Sequence, residues 1–149
     1  MITFRKVTKH NFEDIINLDA GIEGNNHVAK NYYTLLEAFY ERDLENIKGI
    51  YFDKKLVGMV YYYPLNNTVW IHRLMIDEIY QNKGIGTLVL QKLIKKIIKG
   101  DNPNTIEFST SNPILLLKVG NYGFKKVNND RSKNYYIKYK EHLFVLELK

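Results

Sequence analysis

Trp70-Ile-His-Arg-Leu-Met-Ile-Asp77, followed by Gln81-Asn-Lys-Gly-Ile-Gly-Thr87 and an apolar-periodic run to Lys99, decides how this chain is read. The first piece alternates as a strand, the second is a glycine-bearing turn, and the third is a helix that begins inside that turn. Ile85, Val89, Leu93 and Ile97 recur every four residues, joined by Leu90, Ile94 and Ile98, while Lys92, Lys95, Lys96 and Lys99 take the wet side. Gly100-Asp-Asn-Pro103 stops the helix. Glycines at 84 and 86 let backbone approach a ligand, because no Cβ intervenes. The first amides of a helix lack intrahelical partners, and the macrodipole adds partial positive charge beside them. With Lys83 supplying a full charge, the turn is a ready site for phosphate or pyrophosphate.

Two better-known phosphate loops do not fit. A P-loop needs Gly-Lys-Ser/Thr, whereas Gly86 is followed by Thr87 and Leu88. A dinucleotide fingerprint needs a third glycine where Val89 stands and an acid about 20 residues on, and Asp101 lies too near.

The pattern Gln81-x-x-Gly84-x-Gly86 after Leu74-Met-Ile-Asp77 resembles the acetyl-CoA signature of the GNAT superfamily of N-acetyltransferases. Asn112-Pro113, Gly123-Phe124 eleven residues after Asn112, and the closing Asn134-Tyr135-Tyr136 and His142-Leu-Phe-Val-Leu-Glu147 extend the likeness over nearly the whole chain. The Trp70-to-Asp77 run is similar to bacterial spermidine/spermine acetyltransferases, and Asn-Tyr-Tyr to ribosomal-protein amino-terminal acetyltransferases. The resemblance implies an α/β (α+β) fold, a twisted, mixed, mostly antiparallel sheet with helices on both faces. It implies acetyl-CoA as co-substrate and a primary amine as acceptor, either a polyamine or another small amine, with protein amino termini as the alternative. The diphosphate would lie on Gln81, Asn82, Lys83, Gly84, Ile85, Gly86 and Thr87. Leu74, Met75 and Ile76 would offer backbone to the pantetheine arm, and Asn112 would contact the cofactor near its thiol.

Composition sets the bounds. At 149 residues, with 45% hydrophobic and 26% charged residues, the chain reads as one ordinary globular domain over residues 1–149. No run of about 18 uncharged apolar residues predicts a membrane span, and the first residues lack a secretory h-region, so a cytoplasmic location is the default expectation. The absence of cysteine excludes disulfides, thiolate metal sites and a thioester relay through the protein. The four histidines show no metal-ligand spacing, so no metal is expected. Of the net charge of +6, residues 1–45 contribute −3 and the rest +9, which suits an anionic cofactor and a cationic acceptor. Lysines and aromatics interleave from Lys133 to Lys140, but no nucleic-acid motif accompanies them, and no nucleic-acid partner is expected. A homodimer stays open.

Around the central run, Ile2 to Val7 reads as a strand, and Thr8 or Asn11 caps a helix carrying Phe12, Ile15, Ile16 and Leu18. Gly21 to Asn26 reads as a loop. A second helix is expected over Tyr32 to Leu44, with Leu35, Leu36, Phe39 and Tyr40 as its buried stripe. Ile47 to Phe52 and Leu56 to Tyr63 form a hairpin about Asp53-Lys54-Lys55, and Asn66-Asn67 turns the chain into the next strand. Thr105 to Thr110 is a strand, and Asn112 caps a helix with Pro113 at its first position. Closing strands are expected at Phe124 to Val127, Tyr135 to Tyr139 and Leu143 to Leu148.

The chemistry needs a base, because an alkylammonium of pKa about 10.4 sits ~4.6 kcal/mol uphill of deprotonation at neutral pH. His72 is the candidate. It stands nine residues before Gln81, where polyamine acetyltransferases of the resembled family carry a glutamate, and it shares a strand face with Trp70, Leu74 and Ile76. Backbone N–H groups of Leu74 to Ile76 would stabilise the developing oxyanion. The family's leaving-group tyrosine falls on Val119, which has no proton to give. Tyr122 is the candidate acid three residues on, with Tyr135 and Tyr136 as alternatives or solvent itself. Val119 also leaves open a CoA-binding sensor with little turnover.

Overall fold

The computed structural model describes residues 1–112, 115 and 118–149. Among them, seven strands follow the order β1-β2-β3-β4-β5-β7-β6. Every pair with a defined register is antiparallel except β4 with β5. The chain divides into two compact units, residues 1–62 with 73–93, and residues 63–72 with 94–149.

The first unit starts with β1 (Ile2–Lys6), paired to β2 (Ile47–Phe52), which turns through Asp53-Lys54 into β3 (Lys55–Leu65). Positive φ at both turn residues (46° and 71°) makes this the two-residue hairpin turn that matches strand twist. Helix α1 (Phe12–Asn17) buries Ile15, and Asn11 ties Thr8 N–H into the turn before it at 2.7 Å. Residues 21–25 are helix α2 (Gly21–Asn25), not the loop expected from their glycines. The reason is Asp19, whose Oδ1 accepts from Gly21 N–H and Asn25 Nδ2, both at 2.8 Å, and so closes a turn that composition alone disfavours.

Helix α3 (Asn31–Tyr40) stops earlier than expected because Arg42 adopts φ 57° and Asp43 N–H turns back to Ala38 C=O at 2.7 Å. Its buried stripe is also not the expected one. Asn31, Thr34 and Ala38 face inward, Leu35 is half-buried, and Leu36, Phe39 and Tyr40 are exposed. Asn31 earns its inner place by donating to Ile15 C=O at 2.7 Å, so the helix docks through a hydrogen bond and small side chains.

In the second unit, β4 (Thr68–Ile76) begins after Asn66 at φ 57°, and its first half runs parallel to β5 (Thr105–Thr110). β7 (His142–Glu147) pairs with β5 and with the short β6 (Lys125–Lys126). Phe108 stacks on Phe144 and meets Phe124 edge-on at the centre of this unit. Residues 135–139, expected as strand, belong to helix α5 (Asp130–Tyr139). A reciprocal capping box, Asn129 with Ser132, fixes its start, and Lys140 at φ 56° ends it. Helix α4 (Ile85–Asp101) contributes residues 85–93 to the first unit and 94–101 to the second. Of its expected core positions Ile85, Val89, Leu90, Leu93 and Ile97 are buried, whereas Ile94 is half-buried and Ile98 is 41% exposed, because these two lie at the edge of the apolar stripe. Pro113 lies outside the described residues.

Candidate functional site

The first unit holds the glycine turn. Asp77 caps a short 3-10 turn (Glu78–Tyr80) by accepting from Ile79 N–H at 3.1 Å, and its second oxygen accepts from Asp19 N–H at 2.9 Å. Glu78 N–H donates to Asp19 C=O at 2.7 Å. Gln81 Nε2 bridges Ala20 C=O and Ile76 C=O at 2.9 and 2.8 Å. These bonds clamp residues 76–81 onto 19–20 and set the direction in which α4 starts. The Gln81 side chain is therefore a brace, and the sequence alone does not say so.

Asn82 (φ 58°) and Gly84 (φ 79°) then turn the chain sharply into α4. Gly84, Gly86 and Thr87 are exposed, while Ile85 is buried and anchors the first turn. A Cβ added at Gly84 would meet nothing within 4 Å, and one at Gly86 only Ile76 Cγ1 at 4.0 Å. Gly84 is thus required by its dihedral, but Gly86 is required by neither backbone nor neighbours. Open space in front of a helix start, whose first amides have no partner within the helix, is the form an anion cradle takes. Lys83 Nζ donates to Ile79 C=O at 2.7 Å and keeps its charge beside the turn. Met75 turns its side chain inward, where its sulfur accepts from Asn31 Nδ2 at 3.6 Å, so any ligand contact there is backbone. Leu74 and Ile76 are half-buried on the other strand face.

Gly58 was not singled out by sequence. A Cβ there would lie 2.3 Å from Met75 C=O, so β3 and this part of β4 approach in a way only glycine allows. One interrupting glycine in an apolar strand gives little local signal of that contact.

In the second unit, the parallel ladder runs from Thr68↔Thr105 to Ile71↔Phe108 and stops there, while β4 continues to Ile76. His72 is the first residue past the last pair, half-buried, its ring 6.0 Å from that of Tyr63. Asn112 Oδ1 accepts from Leu115 N–H at 3.4 Å and its own N–H donates to Thr110 Oγ1 at 2.9 Å. Val119 is 1% exposed, a core residue, while Tyr122, three along the same 3-10 turn (Val119–Tyr122), is half-buried.

A polar relay unforeseen in the sequence joins Tyr135, Ser109 and Glu141. Tyr135 Oη and Ser109 Oγ are 3.0 Å apart, and Ser109 Oγ donates to Glu141 Oε2 at 2.9 Å. Tyr135 also packs at 6.4 Å from the Trp70 ring, and Arg131 of the same helix pairs with Glu107 at 2.6 Å. The relay depends on residues 130–139 being helical, which is why sequence reasoning named Tyr135 but not its partners. His142 stacks on Tyr136, and burial first, then the Lys126 charge, lowers its pKa from the usual imidazole range. Among the described residues no cluster of three His, Asp or Glu could hold a metal, and no helix is long and apolar enough to cross a membrane.

Residues 12–113 match the model of the acetyltransferase (GNAT) family. The chain belongs to that family. Among curated relatives of this acetyltransferase, the spermine/spermidine N(1)-acetyltransferase of Bacillus subtilis (strain 168) is 31% identical over 112 residues, 64% of this chain and 68% of that protein. Its fold is shared with the PaiA N-acetyltransferase of Thermoplasma acidophilum, solved with coenzyme A (TM-score 0.68, 18% identity, 99% of each chain). It is shared too with N-acetylglutamate synthase of Neisseria gonorrhoeae, solved with coenzyme A and N-acetyl-glutamate (TM-score 0.72, 17% identity). All of this chain is covered there, but only 35% of that protein.

Proposed function

We propose that this acetyltransferase moves acetyl from acetyl-CoA to a primary amine, and that a polyamine is its acceptor. The observation that carries the first half is the exposed helix start at Gly84–Thr87, with open space where side chains would stand at both glycines. Coenzyme A in two structures of the same fold supports the same ligand. The polyamine half rests on the curated relative and on the net charge of −3 over residues 1–45.

Acetyl-CoA supplies an activated acyl group on a thiol that leaves readily, since its pKa lies near 8.5. The chain's own tasks are to hold the diphosphate, place the thioester, remove one proton from the amine and return one to sulfur. Amides of Ile85 to Thr87, with Lys83, take the first task, and the backbone of Leu74 to Ile76 beyond the end of the β4–β5 ladder takes the second. The thiol end would lie beside Asn112. His72, next after the last ladder pair, is the base we propose. Tyr135 and Tyr122 compete as the acid. The relay through Ser109 to Glu141 favours Tyr135, because it gives that phenol a defined orientation and a route for its proton.

Release of free thiol from acetyl-CoA, followed across a panel of amines, tests the reading. The chain contributes no cysteine background. Turnover above hydrolysis, highest with polyamines, is expected. Turnover confined to peptide amino termini would move the acceptor to the second class. Buried Val119 favours one other reading, a CoA-binding sensor, which predicts tight CoA binding with no turnover on any amine.

A further inference from the structure

The second unit contains a hydrogen-bonded chain whose direction follows from counting protons. Ser109 Oγ lies 2.9 Å from Glu141 Oε2 and 3.0 Å from Tyr135 Oη, and all three residues are half-buried. A hydroxyl has one proton, and an ionised carboxylate only accepts. Ser109 therefore donates to Glu141 and turns lone pairs toward Tyr135. Taken alone the 3.0 Å contact fits either direction, but its neighbour decides it, and Tyr135 O–H donates to Ser109. Any further hydrogen bond at the phenol oxygen is then one it accepts. A chain polarised this way, ending on a carboxylate, takes up a proton before it gives one.

Its place gives that direction a use. Ile71 and Phe108 are the last partners of the parallel ladder, and His72 and Ser109 are the residues that follow them. Trp70 and Glu107 are partners in that ladder, so by alternation His72 and Ser109 lie on the same sheet face. The Tyr135 ring is held on that face, 6.4 Å from Trp70 and 4.5 Å from Tyr139. All of these residues belong to the second unit. Arg131 pairs with Glu107 at 2.6 Å, Lys138 lies over the Tyr139 ring and Lys140 over the Tyr136 ring, so these cations have partners outside the chain of three.

We propose that Tyr135, Ser109 and Glu141 form a reversible proton store that acts as base in one step and as acid in the next. This rests on acetyl transfer to an amine being the reaction. His72 takes the proton that turns the ammonium into an amine. The nitrogen then bonds to the thioester carbon, the C=O electrons move to oxygen, and the nitrogen carries one proton in excess. That proton passes to Tyr135 Oη, as the phenol proton moves to Ser109 Oγ and the Ser109 proton to Glu141 Oε2. When C=O re-forms and the C–S bond breaks, its electrons go to sulfur. Sulfur takes the proton of Tyr135, Ser109 refills Tyr135, and Glu141 refills Ser109. The three residues end unchanged, and the one proton released overall leaves from His72.

Thiol release from acetyl-CoA with spermidine as acceptor tests this in wild type, Ser109→Ala, Glu141→Gln and the double variant. Glutamine keeps an oxygen for Ser109 but does not hold the proton. Each single variant is expected to lower kcat about 100-fold, the lower end of what general acid–base groups contribute. The KM for either substrate should stay within about twofold, because the relay acts on the transition state and not on binding. The double variant should be no slower than the slower single one, since residues acting as one unit are not additive. Glu107→Gln removes a carboxylate from the same strand face but not from the relay, and should keep kcat within about twofold. Ser109→Ala breaks the chain on β5 itself, so the prediction does not depend on Glu141→Gln folding. Wild-type kcat in either single variant, a change in KM alone, multiplying losses in the double variant or an equal loss in Glu107→Gln would each overturn the relay and leave acetyl transfer standing. A wild type that releases no thiol with any amine would overturn acetyl transfer and the relay together.

Discussion

Helix α4 buries Val89, Leu93 and Ile97 and leaves its lysines in solvent, whereas α3 buries Asn31, Thr34 and Ala38 and leaves three tyrosines, a leucine and a phenylalanine wet. Both sequences are amphipathic at helical period. In α4 the apolar stripe faces the fold and the informative part is the start, where nothing fills the space before Gly84 and Gly86. In α3 the docking is done by a hydrogen bond and small residues, and the apolar stripe faces away. Apolar periodicity therefore locates a helix, but what surrounds the helix decides which side is inner.

Truncation should separate the two helices most sharply. Leu93→Ala is expected to cost about 2–5 kcal/mol in urea unfolding, the range for a fully buried leucine. Phe39→Ala should stay within ~0.5 kcal/mol, because Phe39 is exposed. Equal losses would mean α3 is packed like α4, and the comparison would fail.

A smaller effect is expected at the start of α4. Gly84→Ala places an L side chain at φ 79° and should cost about 1–2 kcal/mol by the same unfolding measurement. A neutral result would show that the turn relaxes and that its glycine serves the ligand only.

The smallest effect belongs to the clamp that aims that start. The Gly21 N–H first, then the Asn25 amide, holds the Asp19 pKa below the usual 3.8. Its folded value being depressed, Asp19 contributes stability that is full above its unfolded pKa and is lost as pH falls through the lower folded value. Wild type should exceed Asp19→Asn in stability at pH 6, and the gap should narrow at pH 3. A gap that persists unchanged would show that the carboxylate charge is not what closes α2.

Much of the fold was legible because its signals are local. The hairpin turn at Asp53-Lys54, the turn at Asn66, the alternation of β4 and the four-residue recurrence in α4 each follow from residues within a few positions. Family resemblance rested on the same run and held. Other features were illegible because their cause is distant or competes with propensity. Tyr135, Tyr136 and Ile137 favour strand, yet a cap at Asn129 and Ser132 overrides them. Asp19 closes α2 from outside it, and Gly58 matters chiefly through Met75, seventeen residues on. The Ser109–Tyr135–Glu141 relay needs β5, α5 and the link from α5 to β7 in place before it exists.

Calorimetric titration of coenzyme A into wild type and Gly86→Ala addresses the central claim. Gly86 has no special dihedral and no neighbour nearer than 4.0 Å, so alanine leaves the fold intact and, by helix propensity, stabilises it by up to ~1 kcal/mol. A methyl group in the cradle should nevertheless weaken CoA binding at least tenfold, about 1.4 kcal/mol. CoA affinity equal in the two proteins, or no heat of binding to folded wild type, would contradict the assignment of this helix start as the diphosphate site.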